Sequence, residues 1–245
     1  MLRLAVLFGL LAAPAWAVVC SDITHLGQSY TICEVDPADD LQLFLRDTDG
    51  SILGSFGAVE QATGRALLFA MNAGMYHPDR APVGHYIEDG IEEMRVIPNA
   101  GPGNFGMLPN GVLCIRPGVI EVIETGDYLN DTPACTYATQ SGPLLVQNGN
   151  LHPSLIPNGT SRYYRNGVGT DASGTRAVFA ISNEPVNFHD FATLFRDTLD
   201  LPNALYFDGK VSRLFSPALG RNDFGWQMGP IVGVLAPVDG ADATD

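Results

Sequence analysis

The stretch Leu205-Tyr206-Phe207-Asp208-Gly209 ends an apolar run on an Asp-Gly pair, and a second apolar run follows from Val211. Asp-Gly between two β-prone runs is a hairpin signal. The same carboxylate at the carboxyl end of a strand also has the position of a catalytic acid, base or nucleophile. Asp171, in Thr170-Asp171-Ala172-Ser173-Gly174, is the second carboxylate of interest, and its surroundings read equally well as a turn. Other patterns are discounted by context. Asp47-x-Asp49-Gly50 lacks the remaining ligands of a calcium loop, including the distal Glu, and reads as a turn. Gly101, Gly103 and Gly106 match a dinucleotide fingerprint, but a turn and strand follow where that site needs a helix. Ser141 stands in no G-x-S-x-G elbow, so hydrogen bonding suits it better than nucleophilic attack.

The elements that must carry these residues are short. The segment 41–57 alternates around Asp49-Gly50, and 84–93 alternates around Asp89-Gly90; both predict hairpins, and 107–125 predicts two or three more strands. The clearest helix spans 188–199, where Phe188, Phe191, Ala192, Phe195 and Leu199 form one stripe behind the N-cap candidate Asn187. This stripe reads as core. With strands at 176–182 and 204–207 on either side, the helix completes a local β-α-β unit. Asp208 then falls at the carboxyl end of the second strand, where α/β proteins commonly bind ligands. The expected fold is α/β (α+β): a mixed sheet of short strands with few helices, in one domain over 18–236, followed by an acidic tail at 237–245.

Residues 1–17 combine an early Arg3, a short apolar run and Ala15-Trp16-Ala17, the features of a cleaved secretory signal. Val19 before Cys20 favours an ordinary leader over lipid attachment, and no later run reaches the length of a membrane span. Four cysteines in an exported chain predict two disulfides; of the three possible pairings, proximity favours Cys20–Cys33 and Cys114–Cys135. Without C-x-x-C spacing or histidines at zinc-site offsets, no metal and no other cofactor is expected. The net charge of −14 argues against nucleic acid or an anionic membrane as partner. Residues 151–230, however, hold seven basic and seven acidic side chains, so an anionic group would be held there.

Five segments together resemble the phosphodiester glycosidase family, in the family's order: 71–90, 104–113, 139–149, 165–174 and 203–215. The chain looks closest to the family's shorter bacterial branch. Twelve arginines against one lysine fit a GC-rich bacterial source. The resemblance implies hydrolysis of a sugar-1-phosphodiester at the sugar C1–O bond. That bond expels a phosphate monoester with a second pKa of about 6, so protonation of the leaving group matters less than for an ordinary glycoside. The site needs a cation for the phosphate and a carboxylate for the oxocarbenium-like centre. By this resemblance Asp208 is the catalytic carboxylate and Asp171 its possible partner. Arg165 holds the phosphate, while Asn72, His85, Gly142, Gly209 and Ser212 contact the substrate. Where the family's animal members carry a glycine run after the Asp and an Arg-Thr-Ala, this chain has Lys210-Val211 and Arg165-Asn166-Gly167, which changes the surroundings of the sugar. The expected partner is a sugar phosphate or cell-envelope glycan in the periplasm or outside the cell. The alternatives are a carbohydrate-binding or exopolysaccharide-assembly accessory protein on the same fold, and a metal-dependent phosphoesterase.

Overall fold

The computed structural model describes residues 18–238; the leader and the end of the tail lie outside the described residues. Three sheets of short strands carry the chain. The largest has seven strands in the order Val19–His25, Gln28–Val35, Ala177–Ser182, Asn166–Thr170, Asn203–Asp208, Leu144–Gln147, Asn150–Leu151. A five-stranded sheet runs Arg221–Asn222, Leu214–Ser216, Leu67–Asn72, Ile231–Leu235, Leu41–Phe44. The third sheet runs Ile91–Met94, Tyr86–Glu88, Tyr137–Ser141, Gly111–Arg116, Val119–Glu124. The fold is α+β, strand-rich with few helices in one compact domain.

Adjacent strands pair antiparallel within each sheet. The expected β-α-β unit is present with a strand inserted. Ala177–Ser182 and Asn203–Asp208 both pair with Asn166–Thr170 and so run parallel to each other across it. The connecting helix, Phe188–Thr193, is capped by the Asn187 side chain, which accepts from the Asp190 amide. It continues as a π-helical turn over Leu194–Thr198, so the predicted stripe stays on one face and packs on the seven-stranded sheet.

Alternation along Asn203–Asp208 divides the core. Leu205 and Phe207 face the other two sheets, while Ala204 and Tyr206 face the helix. Burial on both faces explains why this strand is continuously apolar. The register shifts between Tyr206 and Asp208, and Asp208 ends the strand opposite Asn166.

Of the predicted hairpins, 86–94 turns through Asp89 and Gly90, both at positive φ as a two-residue type I′ turn demands. Strands 111–116 and 119–124 form another. The hairpin reading of Asp208-Gly209 does not hold. Asn203–Asp208 lies in the seven-stranded sheet and Leu214–Ser216 in the five-stranded one, so the chain crosses between sheets at 208–213. Gly209 is also absent from the positive-φ glycines.

That crossing rests on two buried asparagines. Asn72 ends a strand of the five-stranded sheet, and Asn166 begins one in the seven-stranded sheet. Their side-chain amides pair reciprocally, Asn72 Nδ2 donating to Asn166 Oδ1 at 3.3 Å and Asn166 Nδ2 to Asn72 Oδ1 at 3.1 Å. Asn166 Nδ2 also lies 2.9 Å from the Asn72 carbonyl. The disulfides join Cys20 to Cys33 and Cys114 to Cys135, as proximity predicted.

Two outcomes are expected. Thiol titration of denatured, unreduced protein finds no free cysteine; two or more thiols contradict both bridges. In denaturant unfolding, Asn166→Ala costs about 2–4 kcal/mol, because it strands several buried polar groups. A double-mutant cycle with Asn72→Ala shows coupling of at least about 0.5 kcal/mol, whereas independent sites would add.

Candidate active site

The Asn72–Asn166 pair organises the backbone around Asp208. Asn166 Oδ1 accepts from the Asp208 amide at 3.1 Å, and Asn72 Oδ1 accepts from the Arg213 amide at 2.9 Å. Ser212 Oγ lies 2.9 Å from the Tyr164 carbonyl and 3.0 Å from that of Asp208, closing the turn. From the far side, Ser141 Oγ donates to the Phe207 carbonyl at 3.0 Å. This serine is a buried strut for the strand end.

The Asp208 carboxylate is half-buried and divided in its roles. Oδ1 accepts from the amides of Gly209 (2.6 Å) and Lys210 (2.9 Å). Among the described residues nothing donates to Oδ2, which leaves that oxygen for a substrate. Gly209 is needed here for space: a Cβ would overlap the Tyr206 hydroxyl.

Beneath the turn lies Arg165, fully buried. Nε donates to the Val186 carbonyl (2.9 Å), Nη2 to that of Ser161 (2.9 Å), and Nη1 to the Tyr206 hydroxyl (3.3 Å). Its guanidinium stacks 3.5 Å from the centroid of Phe188, so this residue of the helix stripe contributes an aromatic face to a cation as well as core packing. Burial lowers the guanidinium pKa, partly offset by Tyr206. No carboxylate among the described residues forms an ion pair with it. Among the described residues this buried cation is solvated by carbonyls, a phenol and aromatic faces, with no anion to balance its charge. Arg213 repeats the pattern, donating to the Asp223 carbonyl from Nε (3.1 Å) and Nη2 (2.8 Å), and to the Trp226 carbonyl from Nη1 (2.8 Å).

Tyr76 adds an unused donor. Its ring is pressed against Gly229, and its buried hydroxyl has no hydrogen-bond partner among the described residues. Burial, then the Asp208 charge, pushes its ionisation up to about 12, against the opposing pull of Arg80 and Arg213. The phenol therefore keeps its proton at neutral pH. Arg80 lies 5.5 Å from the same ring centroid, with Nε also unpartnered among the described residues.

Asp208, Arg165, Asn72, Gly209 and Ser212 are thus brought together. Gly142 stands near the strut at Ser141, where a Cβ would crowd Asn110 and the Phe105 carbonyl, so packing accounts for it. Two expected residues are placed elsewhere. Asp171 lies beyond the opposite end of the strand from Asn166, about 17 Å away at about 3.3 Å per residue. Its carboxylate is taken up by the amides of Thr175 and Arg176 and the hydroxyls of Ser173 and Thr175. His85 is buried in the third sheet, where Nδ1 donates to the Met94 carbonyl (2.9 Å) and Nε2 accepts from Tyr128 (2.9 Å), leaving neither nitrogen for a sugar.

Sequence reasoning passed over Asn166, Tyr206, Tyr76 and Arg213. Two of these left a signal: Arg213 interrupts the apolar run Val211–Phe215, and Asn166 follows a charged residue at the head of a buried strand.

The family model for phosphodiester glycosidase matches residues 65–227, a span that includes every residue assembled around Asp208. The Escherichia coli (strain K12) protein YigE, itself uncharacterized, is 31% identical over 233 residues, covering 94% of this chain and 89% of YigE. The catalytic domain of zebrafish N-acetylglucosamine-1-phosphodiester alpha-N-acetylglucosaminidase, solved auto-inhibited by its pro-peptide, shares the fold. Its TM-score is 0.61 at 17% identity, over 90% of this chain and 82% of that one. A Burkholderia pseudomallei K96243 protein described as a candidate exported protein shares it with a TM-score of 0.54 at 12% identity, over 85% of this chain and 74% of its own. With its family model spanning the whole Asp208 site, the chain belongs to the phosphodiester glycosidase family.

Proposed function

We propose that this protein hydrolyses the sugar C1–O bond of a glycosyl-1-phosphodiester, releasing free sugar and a phosphate monoester, with Asp208 as the catalytic carboxylate. The observation that carries the reading is the divided carboxylate: Oδ1 is fixed by two amides, while Oδ2, to which none of the described residues donates, belongs to a carboxylate that shares Tyr206 with the buried Arg165 and Tyr76 with the buried Arg213. Family membership supports a hydrolase of this type.

In this reading Oδ2 attacks or supports the anomeric carbon, or takes a proton from water, as positive charge develops there. Arg165 acts through the charge it places under the turn, because three of its five N–H groups are already committed. Tyr206, accepting from Arg165, keeps its own proton to donate, and burial holds it protonated. The Tyr76 hydroxyl is the second donor for the departing phosphate oxygens. Asn72 and Ser212 hold the turn, and Gly209 lets it lie close over Tyr206. Asp171 and His85 have no part in the chemistry. The proposed setting is the periplasm or the extracellular space after removal of residues 1–17. Two disulfides and the fold shared with the Burkholderia protein support it.

Asp208→Asn tests the assignment. Asparagine keeps an oxygen for the Gly209 and Lys210 amides but removes the charge and places a donor at Oδ2. Release of reducing sugar from a sugar-1-phosphodiester is expected to fall at least ~100-fold, about 2.7 kcal/mol, with little change in thermal stability. Turnover at the parent rate in the folded variant would refute the role. Gly209→Ala, which forces Tyr206 and the turn apart, is expected to lower the rate at least ~10-fold, about 1.4 kcal/mol.

A further inference from the structure

We infer that Phe224 and Trp226 form a stacking platform for the pyranose rings of a neutral glycan chain, a binding surface held in fixed register with Asp208. It deepens the hydrolase reading by naming what surrounds the phosphodiester, and rests on that reading for the position of the scissile bond.

The two rings are almost wholly in water, Phe224 93% and Trp226 81% exposed. A free loop would fold them inward, since taking large apolar side chains out of water is favourable. This loop cannot. The Arg213 guanidinium draws the Asp223 and Trp226 carbonyls toward the core. The Asp223 carboxylate accepts from the Leu214 amide (2.9 Å) and pairs with Arg221 (2.9 Å). With the backbone turned in and anchored, the side chains are turned out. The anchor belongs to the site itself: the Arg213 amide donates to Asn72, which pairs with Asn166, which accepts from the Asp208 amide. Tyr76 lies between, its ring on Gly229 and its hydroxyl within the electrostatic reach of Asp208 and Arg213. Two further exposed rings, Tyr163 (54%) and Tyr164 (52%), border the same turn, Tyr163 beside Gly209.

Among possible occupants a sugar fits best. A pyranose presents a flat face of C–H groups to a ring while its hydroxyls stay in water, which suits single rings held apart on a polar surface. The net charge of −14 disfavours an anionic membrane. Even with Tyr163 and Tyr164 included at their fractional exposure, aromatic side chains of about 150–250 Å² each present roughly 420–700 Å² here, short of the roughly 800 Å² per partner of a standard protein interface.

The sequence has two tryptophans, Trp16 and Trp226, so in a Trp16→Phe chain the indole emission reports on Trp226 alone. The titrants are neutral linear trisaccharides of glucose, mannose and N-acetylglucosamine, with the matching monosaccharides. At least one trisaccharide is expected to shift Trp226 emission saturably, with at least tenfold weaker binding by its monosaccharide and at least tenfold weaker binding in Phe224→Ala. Emission unmoved by the whole panel at millimolar concentration would overturn the inference. A shift that follows protein concentration with doubling of the mass, or that appears only with anionic vesicles, would overturn it as well. The titration needs no turnover, so an inactive chain that still binds a trisaccharide in this way supports the platform and removes only the hydrolase reading.

Discussion

Two amides facing each other across a boundary between sheets are the constraint on which the site depends. Asn72 and Asn166 are fully buried, so each polar atom must find a partner inside the protein or cost about 1–3 kcal/mol. They find one another, and their remaining capacity is taken by the amides of Asp208 and Arg213. The backbone at 208–213 is thereby fixed at both ends as it leaves one sheet for the next. A hairpin would have had its own ladder; this crossing is held by side chains.

The electrostatics follow from that placement. The protein carries a large negative net charge, yet Arg165 and Arg213 are buried where carbonyls, a phenol and aromatic faces are their neighbours. Each would be costly as an isolated charge. Each shares a tyrosine with Asp208: Tyr206 lies in the field of both Arg165 and Asp208, and Tyr76 in that of both Arg213 and Asp208. Two tyrosines with raised ionisation, Tyr76 and Tyr206, remain donors in that field. The proposed division of labour is thus one carboxylate oxygen for the sugar and the fixed cations and phenols for the leaving phosphate.

What could be read from the sequence was what local chemistry determines. The stripe from Phe188 to Leu199 fixed the helix, Asp89-Gly90 the hairpin, and cysteine spacing favoured the two bridges. Asp208 was correctly placed at the end of its strand because Leu205, Tyr206 and Phe207 are apolar without a break. What could not be read depends on contacts distant in sequence. Asn72 and Asn166 are 94 positions apart, and nothing local distinguishes an amide that pairs across sheets from one that ends a turn. Asp171 and Asp208 look alike as Asp in small-residue surroundings; only the antiparallel register, with Asn166 opposite Asp208 and Thr170 opposite Asn203, puts them at opposite ends of the sheet. The turn angle that a glycine offers at 209 is not used, and its missing side chain answers to the Tyr206 hydroxyl, a contact that local sequence does not reveal.

The central claim is that the bond broken lies on the sugar side of the bridging oxygen. Hydrolysis of a sugar-1-phosphodiester in ¹⁸O-labelled water, read by mass spectrometry of both products, tests it most directly. Attack at the anomeric carbon, supported by Asp208 Oδ2, places the label on the released sugar and none on the phosphate. Label in the phosphate, with the sugar unlabelled, would mean P–O cleavage and would contradict the assignment.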